Sequence, residues 1–195
     1  MKSLRRSALV LAAVAAPFSA FAHPGHDGGE LTWDFNTGFA HPFSGWDHLL
    51  AMIAVGLWAA QLGGRARWLV PAAFVVALTV GAALGRAGVN FSGVEQGIAA
   101  SVFVLGVLIA TTARLPVAAG MALVGLFAIF HGLAHGAEMP ATNGALGYGF
   151  GFIAATALLH AAGLALGTFG ARVSVRAAKF SGWAIAASGV ALLAL

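Results

Sequence analysis

The chain has 195 residues, 60% of them hydrophobic and only 8% charged. A soluble globular domain carries nearer a quarter charged residues, so the composition excludes one and reads as a polytopic membrane protein. There is no cysteine, which rules out disulfides and thiolate ligands and leaves His, Asp, Glu and Met for any metal.

Lys2, Arg5 and Arg6 precede the apolar run 8–16, Pro17 ends it, and Ala20-Phe21-Ala22 supplies a small-x-small cleavage pattern. Residues 1–22 are therefore expected to be a signal peptide, cleaved after Ala22. An uncleaved first helix is the weaker reading, because the run is short. Of the ten basic residues the mature chain would keep seven, against six acidic ones. That near-neutral balance gives nucleic-acid binding no support. Cleavage would leave His23 terminal, in His23-Pro24-Gly25-His26-Asp27. An amine and an imidazole could chelate a metal there, although a polar tail is the plainer reading.

Residues 23–41 are polar and rich in Gly and acid, and are expected to form a periplasmic segment. Residues 42–195 are expected to form an all-α bundle of six transmembrane helices, near 43–62, 68–85, 93–112, 115–135, 145–169 and 180–195. About 20 residues at 1.5 Å each cross the hydrocarbon of a bilayer. Gly63-Gly64, Asn90, Pro116 and the stretch 140–144 mark breaks between them. With the N-terminus outside, Arg65, Arg67, Arg114, Arg172, Arg176 and Lys179 fall in inside loops, and only Arg86 falls outside. This satisfies the positive-inside rule and predicts a multi-pass protein of the bacterial inner membrane with a periplasmic mature N-terminus. The acidic residues then collect on or near the outer side, where they would draw cations.

The first span opens on His41-Pro-Phe-Ser-Gly-Trp-Asp-His48-Leu-Leu-Ala-Met52. Pro42 suits the first turn of a helix and would keep His41 outside it. Asp47 and His48 then fall in the second turn, with His48 about 9 Å below the outer end. Met52 shares the His48 face one turn on. An ionisable residue in lipid is costly and suggests function; polar residues at the headgroup level are the bland alternative.

Helix four ends in His131-Gly-Leu-Ala-His135-Gly-Ala-Glu138. If the helix persists, steps of four and seven put His131, His135 and Glu138 on one face. Two imidazoles one turn apart can grip one divalent ion, and a carboxylate can add an oxygen; structural hydrogen bonding is the alternative. Helix one runs inward and helix four outward, so Asp47, His48, His131 and His135 can converge in the outer half of the membrane. Glu95 lies nearby at the start of helix three. His160 falls deeper, as a second station on a path inward or as a core histidine bonded to a carbonyl. Gly132 and Gly136, and Gly147 and Gly151, are small-xxx-small pairs suited to close helix contact.

The segment 41–52 resembles the H-P-x-x-G-x-D-H signature of the HupE/UreJ family, membrane accessory proteins associated with nickel hydrogenases and ureases. Phe130-His-Gly-Leu-Ala-His-Gly-Ala-Glu138 resembles that family's second motif, and His160 lies where a later helix of the family carries a histidine. The likeness covers essentially the whole mature chain. It implies a secondary permease for nickel, or cobalt in some members, in the neighbourhood of nickel-enzyme maturation proteins. By position, His41, Asp47 and His48 match the first motif, and His131, His135 and Glu138 the second. The tail holding His23 and His26 is short for a store of metal.

Uptake of a divalent transition metal is therefore the leading expectation. No nucleotide-binding motif occurs, and no thiolate would hinder release. Because His and Asp ligands bind Cu²⁺ at least as tightly as Ni²⁺, and Zn²⁺ comparably, ligand chemistry alone does not name the metal. Two other classes remain: an intramembrane zinc hydrolase built on His48, His131 and His135, and a metal-binding accessory protein that does not transport. The chain shows neither a nucleophile elbow nor an H-E-x-x-H helix, so no enzyme is expected.

Overall fold

A computed structural model describes residues 33–139 and 144–195, with the backbone alone at 171–173 and 175. The expected signal peptide, its cleavage after Ala22, and His23 and His26 lie outside the described residues. The described residues form seven helices: α1 Phe35–Ser44, α2 Trp46–Leu62, α3 Ala66–Arg86, α4 Val94–Thr111, α5 Val117–Glu138, α6 Gly144–Val173 and α7 Val175–Leu193. There is no strand among the described residues.

The first span departs from expectation. Pro42 lies well inside α1 rather than opening a membrane helix, and His41 is helical too. Helix formation starts earlier, at Asp34. The Asp34 side chain accepts from the Thr37 N–H at 2.9 Å, while Thr37 Oγ1 accepts from the Asp34 N–H at 3.0 Å. This capping box satisfies the first orphan donors of α1. The Thr37 N–H also holds the Asp34 carboxyl below its ordinary range. Gly45 ends α1 in an extended conformation, and α2 leaves it at 85°. Asp47 and His48 consequently occupy the first turn of α2, not a second turn about 9 Å deep.

A second departure lies at residues 170–179, expected as an inside loop. They are helical except for Ser174. Ser174 Oγ accepts from the Ala177 N–H at 3.2 Å and caps α7 five residues before its expected start. The helix carrying His131 and His135 does persist, reaching Glu138.

Three helix pairs make the most extensive contacts: α3 with α5, α4 with α7, and α2 with α6. In lipid, association depends on close van der Waals fit between backbones, so small residues sit at the contacts. A Cβ on Gly132 would strike the Leu78 carbonyl of α3, and one on Gly136 the Ala82 carbonyl. Gly81 and Gly85 present the same close fit from the other side, so α3 and α5 run parallel. Gly56 and Gly163 join α2 to α6 in parallel, and Gly106 and Gly182 join α4 to α7 antiparallel. Gly151 meets α1 at Phe35. Met52, Trp58, Phe74, Leu105, Ile109 and Val124 fill the shared core.

The protein is an all-helical, multi-pass membrane protein. Helices α3, α4, α5 and α6 are each long and apolar enough to cross a bilayer, and α1 with α2 gives a fifth span if the bent pair counts as one. Alternation along the chain gathers Arg65, Arg67, Arg114, Arg176 and Lys179 at one end. Asp47, Arg86, Glu95 and Glu138 collect at the other.

Candidate metal centre

At the acidic end, α1, α2 and α5 bring three imidazoles together. One ligand nitrogen each from His41, His48 and His135 lies within 4.8 Å of the other two. Two imidazoles bound to one ion at about 2.1 Å can stand at most about 4.2 Å apart, so sub-ångström shifts would close this group on a cation. His48 and His135 are buried and His41 is half-buried.

Each histidine is aimed by its own element. His48 is held by the residue before it: Asp47 Oδ1 accepts from the His48 backbone N–H and from its Nδ1–H, both at 2.7 Å. A carboxylate can only accept, so Nδ1 carries the proton and Nε2 presents a lone pair. That lone pair faces His135 Nε2 at 2.5 Å. The 85° bend swings α1 across the bundle end and sets the His41 ring 4.6 Å from His135 and 5.8 Å from His48. Trp33 against Tyr148, at 4.8 Å, anchors the N-terminal side of α1 to α6.

The other sequence-derived residues take distinct positions. His131 stacks edge-on to His48 at 4.9 Å and is fully buried, one turn inward of His135. Its Nε2 lies 3.2 Å from Ser101 Oγ, whose own proton goes to the Ile98 carbonyl at 2.6 Å. Ser101 must therefore accept, which leaves His131 Nδ1 as the bare nitrogen. Glu138 reaches His135 Nδ1 at 4.0 Å from an exposed position. Glu95 sits on the exposed first turn of α4, outside the converging group. Met52 is fully buried, and its main-chain carbonyl accepts from His160 Nδ1 at 2.8 Å.

Two partners were not singled out from sequence. Phe152 of α6 packs on His41, His48 and His135, at 5.8, 6.2 and 4.5 Å, and covers the α6 side of the cluster. Nothing in its sequence context marks it among fourteen phenylalanines. Ser101 could have been found, as a hydroxyl midway along an apolar span. A groove of about 660 Å³ between α3, α5 and α6 reaches His135, but Leu78, Ala82, Leu146 and Phe150 make it apolar and Arg86 stands in its wall. It suits a lipid chain better than a cation.

This arrangement offers neutral imidazole nitrogens backed by a carboxylate, the pattern by which proteins orient histidine toward a metal. A family model described as "HupE / UreJ protein" matches residues 10–192. Protein HupE of Rhizobium leguminosarum bv. viciae is 46% identical over 186 residues, covering 94% of each chain. No solved structure matches the chain. With the match running nearly end to end and both histidine motifs inside it, this chain belongs to the HupE/UreJ family.

Proposed function

We propose that this protein is a secondary permease for a divalent transition metal, nickel first, carrying it inward across the bacterial inner membrane. The observation that carries the reading is the convergence of His41, His48 and His135 at one end of a membrane bundle. Imidazole ligands without thiolate favour an ion that binds and then leaves. The nickel assignment rests on family membership and on likeness to Protein HupE. The ligands themselves would accept cobalt, zinc or copper as well. The basic end of the bundle is assigned to the cytoplasm and the histidine end to the periplasm, by the positive-inside rule. With no nucleotide motif in the sequence, the ion's own gradient, the membrane potential or protons would drive transport. Nickel-enzyme maturation proteins are the expected recipients.

In this reading His41, His48 and His135 are the first ligands. Asp47 orients His48, Glu138 draws the cation toward His135, and His131 receives the ion one turn inward. The test is uptake of radiolabelled Ni²⁺ by proteoliposomes of purified protein, with His48→Ala as control and Co²⁺, Zn²⁺ and Cu²⁺ as competitors. Saturable uptake lost in the variant supports the permease. Tight binding with no uptake would point instead to a non-transporting accessory protein or to a zinc hydrolase.

A further inference from the structure

Below the outer cluster, two buried imidazoles each keep one nitrogen without a partner: Nδ1 of His131 and Nε2 of His160. Both rings are essentially inaccessible, at 0% and 3% exposure. Each is anchored through its opposite nitrogen. His131 Nε2 donates to Ser101 Oγ, and His160 Nδ1 donates to the Met52 carbonyl. Those anchors fix the tautomers, so the nitrogen left over is in both cases a bare lone pair. A histidine kept only for core structure gains nothing from an unsatisfied lone pair at lipid depth, where no bulk water compensates it. One nitrogen donating to the protein while the other stands open is how metal-bound imidazoles are held.

The two rings also lie in sequence behind the outer site. His131 touches His48, with ring centroids 4.9 Å apart. Phe74 of α3 packs on His131 at 5.7 Å and edge-on to His160 at 5.0 Å. Met52, which anchors His160, lies one turn past His48 on α2. An ion leaving the outer cluster inward thus meets His131 first and His160 next.

We infer that His131 and His160 form a second, inner station for a divalent transition-metal ion, with His131 Nδ1 and His160 Nε2 as its successive ligands. The direction of passage rests on the permease reading; the binding does not.

The test is His160→Asn. The Asn amide N–H can stand where Nδ1–H stands and keep the bond to the Met52 carbonyl, while Nε2 is deleted. In purified protein, Ni²⁺ bound at saturation should fall from about two ions per chain to about one, with the remaining site's affinity changed by less than about threefold, because the outer ligands are untouched. Proteoliposome flux should fall by about tenfold or more, since an imidazole is lost from the path. A wild type that saturates at one ion, or a variant that still binds two, overturns the proposal. If the second ion disappears in the variant but wild-type liposomes pass no Ni²⁺, the inner site stands and the permease reading falls. If wild-type liposomes transport and the variant matches them in flux and stoichiometry, the permease stands and the inner site falls. Should the variant misfold, nickel X-ray absorption on the wild type decides. The second equivalent must add imidazole scattering; an oxygen-only second ion overturns the proposal.

Discussion

His48 Nε2 and His135 Nε2 face one another at 2.5 Å across the contact of α2 with α5. Asp47 accepts the hydrogen bond of His48 Nδ1–H, so the hydrogen between the two rings belongs to His135. A metal seated between these nitrogens must displace that hydrogen, and His135 Nδ1, 4.0 Å from Glu138 Oε2, can take it up. Ni²⁺ binding at neutral pH should therefore release well under one proton per ion, and affinity should fall on acidification because protonated imidazoles must first lose a proton to bind. Calorimetry in buffers of different ionisation enthalpy measures the release directly. Release of a full proton per ion at neutral pH would mean that the His135 ring does not keep its hydrogen on Nδ1 when the ion binds.

Asp47→Asn tests the orienting carboxylate. An amide N–H can donate to His48 Nδ1, which would move the ring proton to Nε2 and remove the lone pair that faces the site. Loss of such an outer partner costs about 10–100-fold in metal affinity. Ni²⁺ affinity should drop by that amount while the variant inserts and elutes like wild type. An unchanged affinity would mean that the Asp47 contact at 2.7 Å does not set the His48 tautomer.

Much of this architecture is legible in the residues themselves. The run 117–138 keeps helical character to its end, so the spacing of His131, His135 and Glu138 translates directly into a shared face. Gly132 and Gly136 mark a real helix contact for the same reason. The first motif is harder to read. Rules for proline point to a helix start at Pro42, yet Asp34 and Thr37 cap α1 well before it. Contacts of α1 with α6, through Trp33, Phe35 and Gly38, then hold that helix through Pro42. The 85° bend that carries His41 over His48 and His135 is a tertiary outcome, with only Gly45 to signal it. Ser174 likewise converts an apparent basic loop into a helix start by one capping bond. Which nitrogen of His131 and of His160 is open is not readable at all, because it depends on partners 30 and 108 residues away in sequence.

Gly45 gives a prediction of its own. Its backbone angles are open to any residue, at φ −100° and ψ 123°. A Cβ there would instead stand 2.7 Å from Asp47 Oδ1 and 3.2 Å from His48 Nδ1. Gly45→Ala should thus leave α1 and α2 formed but push the carboxylate off the imidazole. Ni²⁺ affinity should fall toward the Asp47→Asn level, about tenfold or more, with little change in thermal stability. Wild-type affinity in Gly45→Ala would show that the pair yields to the methyl group without losing its geometry.

The bundle contacts are tested by two glycines that differ in surroundings. At Gly132 an added Cβ meets main-chain atoms of Leu78 and Ala82, which cannot move aside unless α3 and α5 separate. At Gly149, within α6, a Cβ meets nothing within 4 Å. Overfilling a close contact costs about 1–3 kcal/mol, whereas replacing an unconstrained helical glycine by alanine gains roughly 0.5–1 kcal/mol. Gly132→Ala should therefore lower the melting temperature in detergent, and Gly149→Ala should hold or raise it. Because Gly132 adjoins His131, the first substitution should also weaken Ni²⁺ uptake, and the second should not. Equal stability in the two variants would mean that α3 and α5 do not depend on backbone contact, and the position of His131 against His48 would need another support.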